Sequence, residues 1–200
     1  MFDAKIRTLI DSPLNQFGRC LAKVNVSANA MTLFGFFLGG IACALLSMGH
    51  GIWASVFFLG NRIADGLDGA IARVNGLTDF GGFLDIVLDF LLYAGMVFAF
   101  ALSNTDLALY AAFLLFSFIA PMVTFLAFAT IAANRNWQTE AQGKKSFYYL
   151  SGLCEGGETM VFLLLICWLP DYFIYMSVIF GIMCWVTAAG RAREAYNSVR

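Results

Sequence analysis

The sequence predicts an all-α integral membrane protein with six transmembrane helices preceded by an N-terminal interfacial amphipathic helix. Three observations carry that expectation. Of 200 residues, 60% are hydrophobic and only 12% charged, with 21 Phe and a mean hydropathy of +0.78, far from the balance of a water-soluble domain. Apolar stretches run over residues 31–48, 51–72, 83–102, 107–133, 149–169 and 172–189, each reaching about the 17–25 residues a helix needs to cross the hydrocarbon core. The basic residues, finally, fall on alternate sides of those stretches.

Ahead of the first stretch, Ile6, Ile10, Leu14, Phe17 and Leu21 recur every three or four residues, with Lys5, Arg19 and Lys23 between them. This is the pattern of a helix lying in the membrane interface. Asp11-Ser12-Pro13 is expected to interrupt it, Pro13 restarting the helix in a new first turn. No small-residue cleavage pattern follows, so the leader is expected to be retained. The implied organisation is a cytoplasmic leader over residues 1–30, a six-helix transmembrane domain over 31–190 and a short cytoplasmic tail over 191–200.

Lys5, Arg7, Arg19 and Lys23 precede the first stretch, and Arg73 ends the second. Arg135, Lys144 and Lys145 follow the fourth, and Arg191, Arg193 and Arg200 follow the sixth. The opposite loops, at 49–51, 103–106 and 170–171, contain no Lys or Arg. Both termini are therefore expected to be cytoplasmic, in the inner or plasma membrane if the source is bacterial. Cys20, Cys43, Cys154, Cys167 and Cys184 are scattered without a CxxC pair, which predicts neither a disulfide frame nor a zinc site.

The chemistry concentrates in DGLDGAIARVNGLTDFGGFLDIVLD, residues 65–89. Asp65 and Asp68 are three apart and share one helical face; Asp85 and Asp89, four apart, share a face of the next helix. The short segment between them predicts a turn that brings the two pairs together. A carboxylate deep in a bilayer costs about 2.5–3.5 kcal/mol on insertion scales, so a group of four calls for compensation by bound cations with oxygen ligands. Gly69, Ala72 and Gly81 leave clearance on the same faces, and Arg73 could take a phosphate in bidentate fashion. Asp79 lies outside this register and reads as a solvated or capping residue.

The string resembles the signature of the CDP-alcohol phosphatidyltransferase family, D-x2-D-G-x2-A-R followed by G-x3-D-x3-D. Asp65, Asp68, Gly69, Ala72, Arg73, Gly81, Asp85 and Asp89 fill its positions in order, with a spacer after Arg73 one residue shorter than is usual. The resemblance implies transfer of a phospho-linked, phosphatidyl-type group from a CDP-activated donor such as CDP-diacylglycerol to an alcohol hydroxyl, releasing CMP in phospholipid synthesis. It implies Mg²⁺ or Mn²⁺, two ions, on Asp65, Asp68 and Asp85. Asp89 would be the general base, also able to touch metal. Gly69, Ala72, Arg73 and Gly81 would line the CDP pocket, membrane lipids would surround the protein, and a homodimer would fit.

Other residues stand outside this signature. Asn29, in VSANAMTLFGFFLGG, resembles part of the family's first-helix start, with Ala28 where Pro is frequent; it is expected to cap the helix or approach nucleotide. Leu33-Phe34-Gly35 disfavours the members that make phosphatidylglycerol phosphate. Arg62, one turn before Asp65, is expected to pair with an acid or reach a polar cavity. Lys144 and Lys145 read as positive-inside residues or as attractors of anionic groups, and Glu155 and Glu158 as shapers of the acceptor pocket. A divalent-cation transporter and an inactive scaffold of the same fold are the competing readings. The acids gathered at one end, without an inverted-repeat counterpart, disfavour the transporter. No nucleic-acid motif occurs and the net charge is −1, so no nucleic-acid partner is expected.

Overall fold

In a computed structural model of the chain, residues 2–135 and 152–199 are described, with side chains for 13–135 and 152–198. Among them the helices run α1 (Phe2–Lys23), α2 (Ala28–Ser47), α3 (Gly51–Asn75), α4 (Asp79–Ser103), α5 (Ala108–Asn134), α6 (Gly156–Trp168) and α7 (Phe173–Val199). Short 3-10 turns at Thr105–Leu107 and Pro170–Tyr172 precede α5 and α7. The chain forms two compact units, Met1–Ser103 and Asn104–Arg200.

The protein is a multi-pass, all-α membrane protein, but the expected six spans are corrected to four. Among the described residues, Ala28–Ser47, Asp79–Ser103, Thr105–Asn134 and Pro170–Ser198 are long and apolar enough to cross. The other two fail for different reasons. α3 has the length, 25 residues, yet carries Arg62, Asp65, Asp68 and Arg73, so no long window of it is apolar. α6 is apolar but has 13 residues, about 20 Å of helix against a hydrocarbon core of about 30 Å.

In the first unit, α2 packs along both α3 and α4, and α1 packs on α3. The backbones of α3 and α4 stay farther apart, leaving a gap that their side chains bridge. Small residues set these approaches. A Cβ on Gly18 of α1 would lie 2.5 Å from the Ala70 Cβ, and one on Gly39 would lie 2.5 Å from a Leu92 methyl of α4. The Leu14 side chain lies over Gly66 of α3. This docking accounts for a second correction: α1 runs unbroken through Pro13, without the interruption expected at Asp11–Pro13. Packing on α3 offsets the one backbone donor that Pro lacks.

Leu33, Phe34 and Phe37 of α2 and Leu91 and Phe98 of α4 remain exposed, as helix surfaces facing lipid should. In the second unit, α7 packs on α5 and α6. Phe180 stacks on Phe162, with ring centroids 4.3 Å apart, and meets Phe118 edge-on at 5.9 Å. The Thr187 hydroxyl accepts a hydrogen bond from the buried Cys154 N–H at 2.9 Å.

Two stability predictions follow from these contacts. Gly18→Val must push against Ala70 backbone, so it should weaken α1 docking by about 1–3 kcal/mol; faster proteolysis within α1 in detergent is the expected sign, and an unchanged cleavage rate would contradict the contact. Thr187→Val orphans the Cys154 N–H and should cost about 1–3 kcal/mol, read as a lowered Tm.

Candidate active site

The acidic segment is shaped by how α3 ends and α4 begins. Gly76 stops α3 at φ 101°, a left-handed conformation that costs glycine little, and its N–H is received by the Ala72 carbonyl. Thr78 then accepts the Gly81 N–H at 3.1 Å and caps α4, with Asp79 exposed in its first turn. Residues 76–78 thus complete the turn, and the short spacer needs no distortion of either helix. The chain returns on itself, and the aspartates of both helices come to the same end of the gap.

There, Asp65, Asp68 and Asp85 each offer a carboxylate oxygen, all within 4.8 Å of one another. Like charges at that separation repel by about 3.5 kcal/mol per pair at an effective dielectric of about 20, so the cluster calls for positive charge. Asp68 is buried, and its Oδ2 meets no hydrogen-bond donor. Three convergent carboxylates, one of them with an unsatisfied oxygen, are a donor set that fits a divalent cation of the Mg²⁺ or Mn²⁺ type.

Asp89 lies outside that close set. The Arg62 guanidinium grips it in bidentate fashion, Nη2 donating to Oδ1 at 2.6 Å and Nη1 to Oδ2 at 3.2 Å. Nη1 also donates to the Tyr93 hydroxyl at 2.8 Å, and that hydroxyl donates to Asp89 Oδ2 at 3.3 Å. Nε donates to Asn61 Oδ1 at 2.6 Å. The rings of Phe58 and Tyr93 lie 5.7 and 5.2 Å from the guanidinium carbon. Arg62 thus pairs with an acid, as expected, and a second carboxylate, that of Asp65, lies 3.7 Å away.

The remaining signature positions surround this end of α3 and α4. Gly69 and Ala72 are half-buried on α3, and a Cβ on Gly69 would lie 3.5 Å from Arg73 Nη1. Arg73 is exposed and turns toward the leader, its Nε and Nη2 donating to Asn15 Oδ1 at 3.2 and 2.8 Å. A hollow lined by Asn15, Arg19, Ala70, Arg73 and Val74 opens there. Gly81 lies beside Asn29, whose Oδ1 would be 3.2 Å from a Cβ at that position. Asn29 does not cap α2; Ser27 does, accepting the Ala30 N–H at 3.2 Å.

Several polar residues here escaped the sequence reading. Asn61 and Thr32 line a small cavity with Asp65, Asp68 and Asp89, and Tyr93 supports Arg62 and Asp89. The available signals were spacing: Tyr93 is one turn beyond Asp89, and Asn61 one turn before Asp65. Glu155 and Glu158 have a structural role of their own, a reciprocal capping box at the start of α6. Lys144 and Lys145 fall outside the described residues.

The pattern of CDP-alcohol phosphatidyltransferases matches residues 25–189. The inner membrane protein YnjF of Escherichia coli is 42% identical over 201 residues, covering 100% of this chain and 98% of that protein. Archaetidylinositol phosphate synthase of Pyrococcus horikoshii is 34% identical over 102 residues, half of each chain (50% and 54%). The phosphatidylinositol phosphate synthase PgsA1 of Mycobacterium tuberculosis, solved with CDP-DAG bound, shares the fold at a TM-score of 0.67 and 19% identity, over 92% of this chain and 93% of that one. With its signature residues gathered at one end of α3 and α4 and the family pattern covering most of its length, the chain belongs to the CDP-alcohol phosphatidyltransferase family, membrane enzymes that pass a CDP-activated phosphatidyl group to an alcohol.

Proposed function

We propose that this chain transfers the phosphatidyl group of CDP-diacylglycerol to a polar alcohol, with Asp65, Asp68 and Asp85 as metal ligands and Asp89 as general base. The observation that carries the reading is the division of the four acids: three converge within 4.8 Å, while the fourth is held apart by Arg62. Two divalent ions bound at the three acids would neutralise the donor diphosphate and ease departure of CMP. Asp89 takes the acceptor hydroxyl proton; the acceptor oxygen forms a bond to the lipid-linked phosphorus, and the bond from that phosphorus to the CMP oxygen breaks, its electron pair leaving with CMP. Because Arg62 engages both Asp89 oxygens, we assign Asp89 to the base role rather than to the ligand set.

Gly69, Ala72 and Gly81 give the nucleotide clearance, and Arg73 receives phosphate oxygens. The hollow beside Asn15, Arg19 and Arg73 supports a cationic approach for the diphosphate. Arg19, Lys23 and Arg73 flank this end of the first unit, which by the positive-inside rule supports a cytoplasmic site. The name of the Escherichia coli relative supports the inner membrane, and family resemblance supports a homodimer. Inositol phosphate heads the acceptor screen because both synthases similar to this chain are named for products bearing it.

The reading is tested by supplying the purified chain with CDP-diacylglycerol and a panel of alcohols. CMP release that requires Mg²⁺ or Mn²⁺ is the expected result; no release with any alcohol, alongside metal flux in sealed vesicles, would favour the transporter. Asp89→Asn should lower kcat by about 10²–10⁴-fold, the usual worth of a general base, while nucleotide binding persists. Asp68→Ala should raise the Mn²⁺ dissociation constant by more than about 100-fold, beyond the effect of losing an outer-shell group. Unchanged metal affinity would remove Asp68 from the ligand set.

A further inference from the structure

We propose that Arg62 is a positioning residue for the transfer step, fixing the Asp89 carboxylate in the orientation from which it takes the acceptor's proton. The inference rests on the base assignment of Asp89 and deepens it. A carboxylate on α4 bound at one oxygen could still rotate about its last torsion and swing toward Asp65, Asp68 and Asp85. Bound at both oxygens, at 2.6 and 3.2 Å, it cannot rotate without breaking two charge-assisted bonds.

The guanidinium is itself immobile. Asn61 holds its Nε, Tyr93 holds Nη1, and the ring centroids of Phe58 and Tyr93 lie 5.7 and 5.2 Å from its central carbon. A buried guanidinium needs partners for its donors in any case, and these partners also fix the direction from which it meets Asp89. Oδ1 accepts one bond from Arg62 and keeps a second lone pair, and Asp89 also borders the small cavity shared with Thr32, Asn61, Asp65 and Asp68. Arg62 therefore does two things: it withholds Asp89 from the converging acids, and it leaves one basic oxygen site open beside them.

Arg62→Lys separates positioning from neutralisation, since lysine keeps the charge but cannot span two oxygens. The full chain is compared with this variant and with Tyr93→Phe, which keeps every charge. Readouts are Mn²⁺ affinity by electron paramagnetic resonance, KM for CDP-diacylglycerol, and kcat with the alcohol that supports turnover in the acceptor screen. In Arg62→Lys, kcat should fall by about 100-fold, as expected for a displaced reacting group. Mn²⁺ affinity and donor KM should both change by less than the roughly 10-fold that loss of a ligand-orienting group produces. Tyr93→Phe should lower kcat in the same direction by less.

Unchanged kcat in Arg62→Lys overturns the proposal, as does a tenfold or greater loss of Mn²⁺ or donor binding in either variant. If Arg62→Lys fails to fold, judged by gel filtration in detergent, Tyr93→Phe decides by the same readouts. The two readings fail differently. Absence of turnover by the unaltered chain removes the transferase assignment, whereas full turnover in Arg62→Lys with an inactive Asp89→Asn removes only the role of Arg62.

Discussion

The pairing of Arg62 with Asp89 is the interaction on which the arrangement of the first unit turns. Both groups are charged, both sit among apolar helices, and the Arg62 side chain is only 10% exposed. Removing either partner from such a pair leaves a charge without compensation, a penalty of about 3–5 kcal/mol. The pair also ties α3 to α4 where their backbones stand apart. The gap between them is held at a width set by a guanidinium and a carboxylate, and the remaining acids converge within the space that this width leaves.

That gap exists because α2, not α4, is the close neighbour of α3. Gly35 lets α2 approach Ala64 and Asn61 of α3, and Gly39 receives Leu92 of α4. A helix with small residues toward two partners can hold both while keeping them from each other. α1 completes the outer side of α3 through Gly18 and Leu14, bringing Asn15 to Arg73. The amphipathic leader is thus part of the environment of a signature arginine, beyond its function as an interfacial anchor.

What the sequence made legible was local. Spacings of three and four placed Asp65 with Asp68 and Asp85 with Asp89, and the glycine-rich turn implied that the pairs meet. Both are rules of a single helix or a single turn. The span count was less legible because hydropathy over residues 51–72 averages away Arg62, Asp65 and Asp68, and because the stretch over 149–169 yields a described helix of only 13 residues. Ser27 was overlooked as a cap because Asn29 lay closer to the expected helix start. Glu155 and Glu158 carry the capping-box spacing, which two acids near a polar site share with a substrate-facing pair. That Arg62 would pair with an acid was legible, but the choice of Asp89 was not, since it depends on the rotation of two helices about their own axes, which no one-helix periodicity specifies.

The four signature aspartates therefore show how identical side chains acquire different capacities. Asp65, Asp68 and Asp85 face one another, and positive charge from outside the chain would relieve their mutual repulsion. Asp89 faces a cation that the chain supplies itself, so its charge is already balanced before any ion or substrate arrives. An arginine that reached all three of the other acids would compete with a divalent cation for them. The position of Arg62 one turn before Asp65 keeps that competition weak, at 3.7 Å from a single carboxylate, while holding Asp89 directly. The division between a cation-receiving triad and a pre-balanced fourth acid thus depends on where one arginine enters the helix register, outside the motif that names the family.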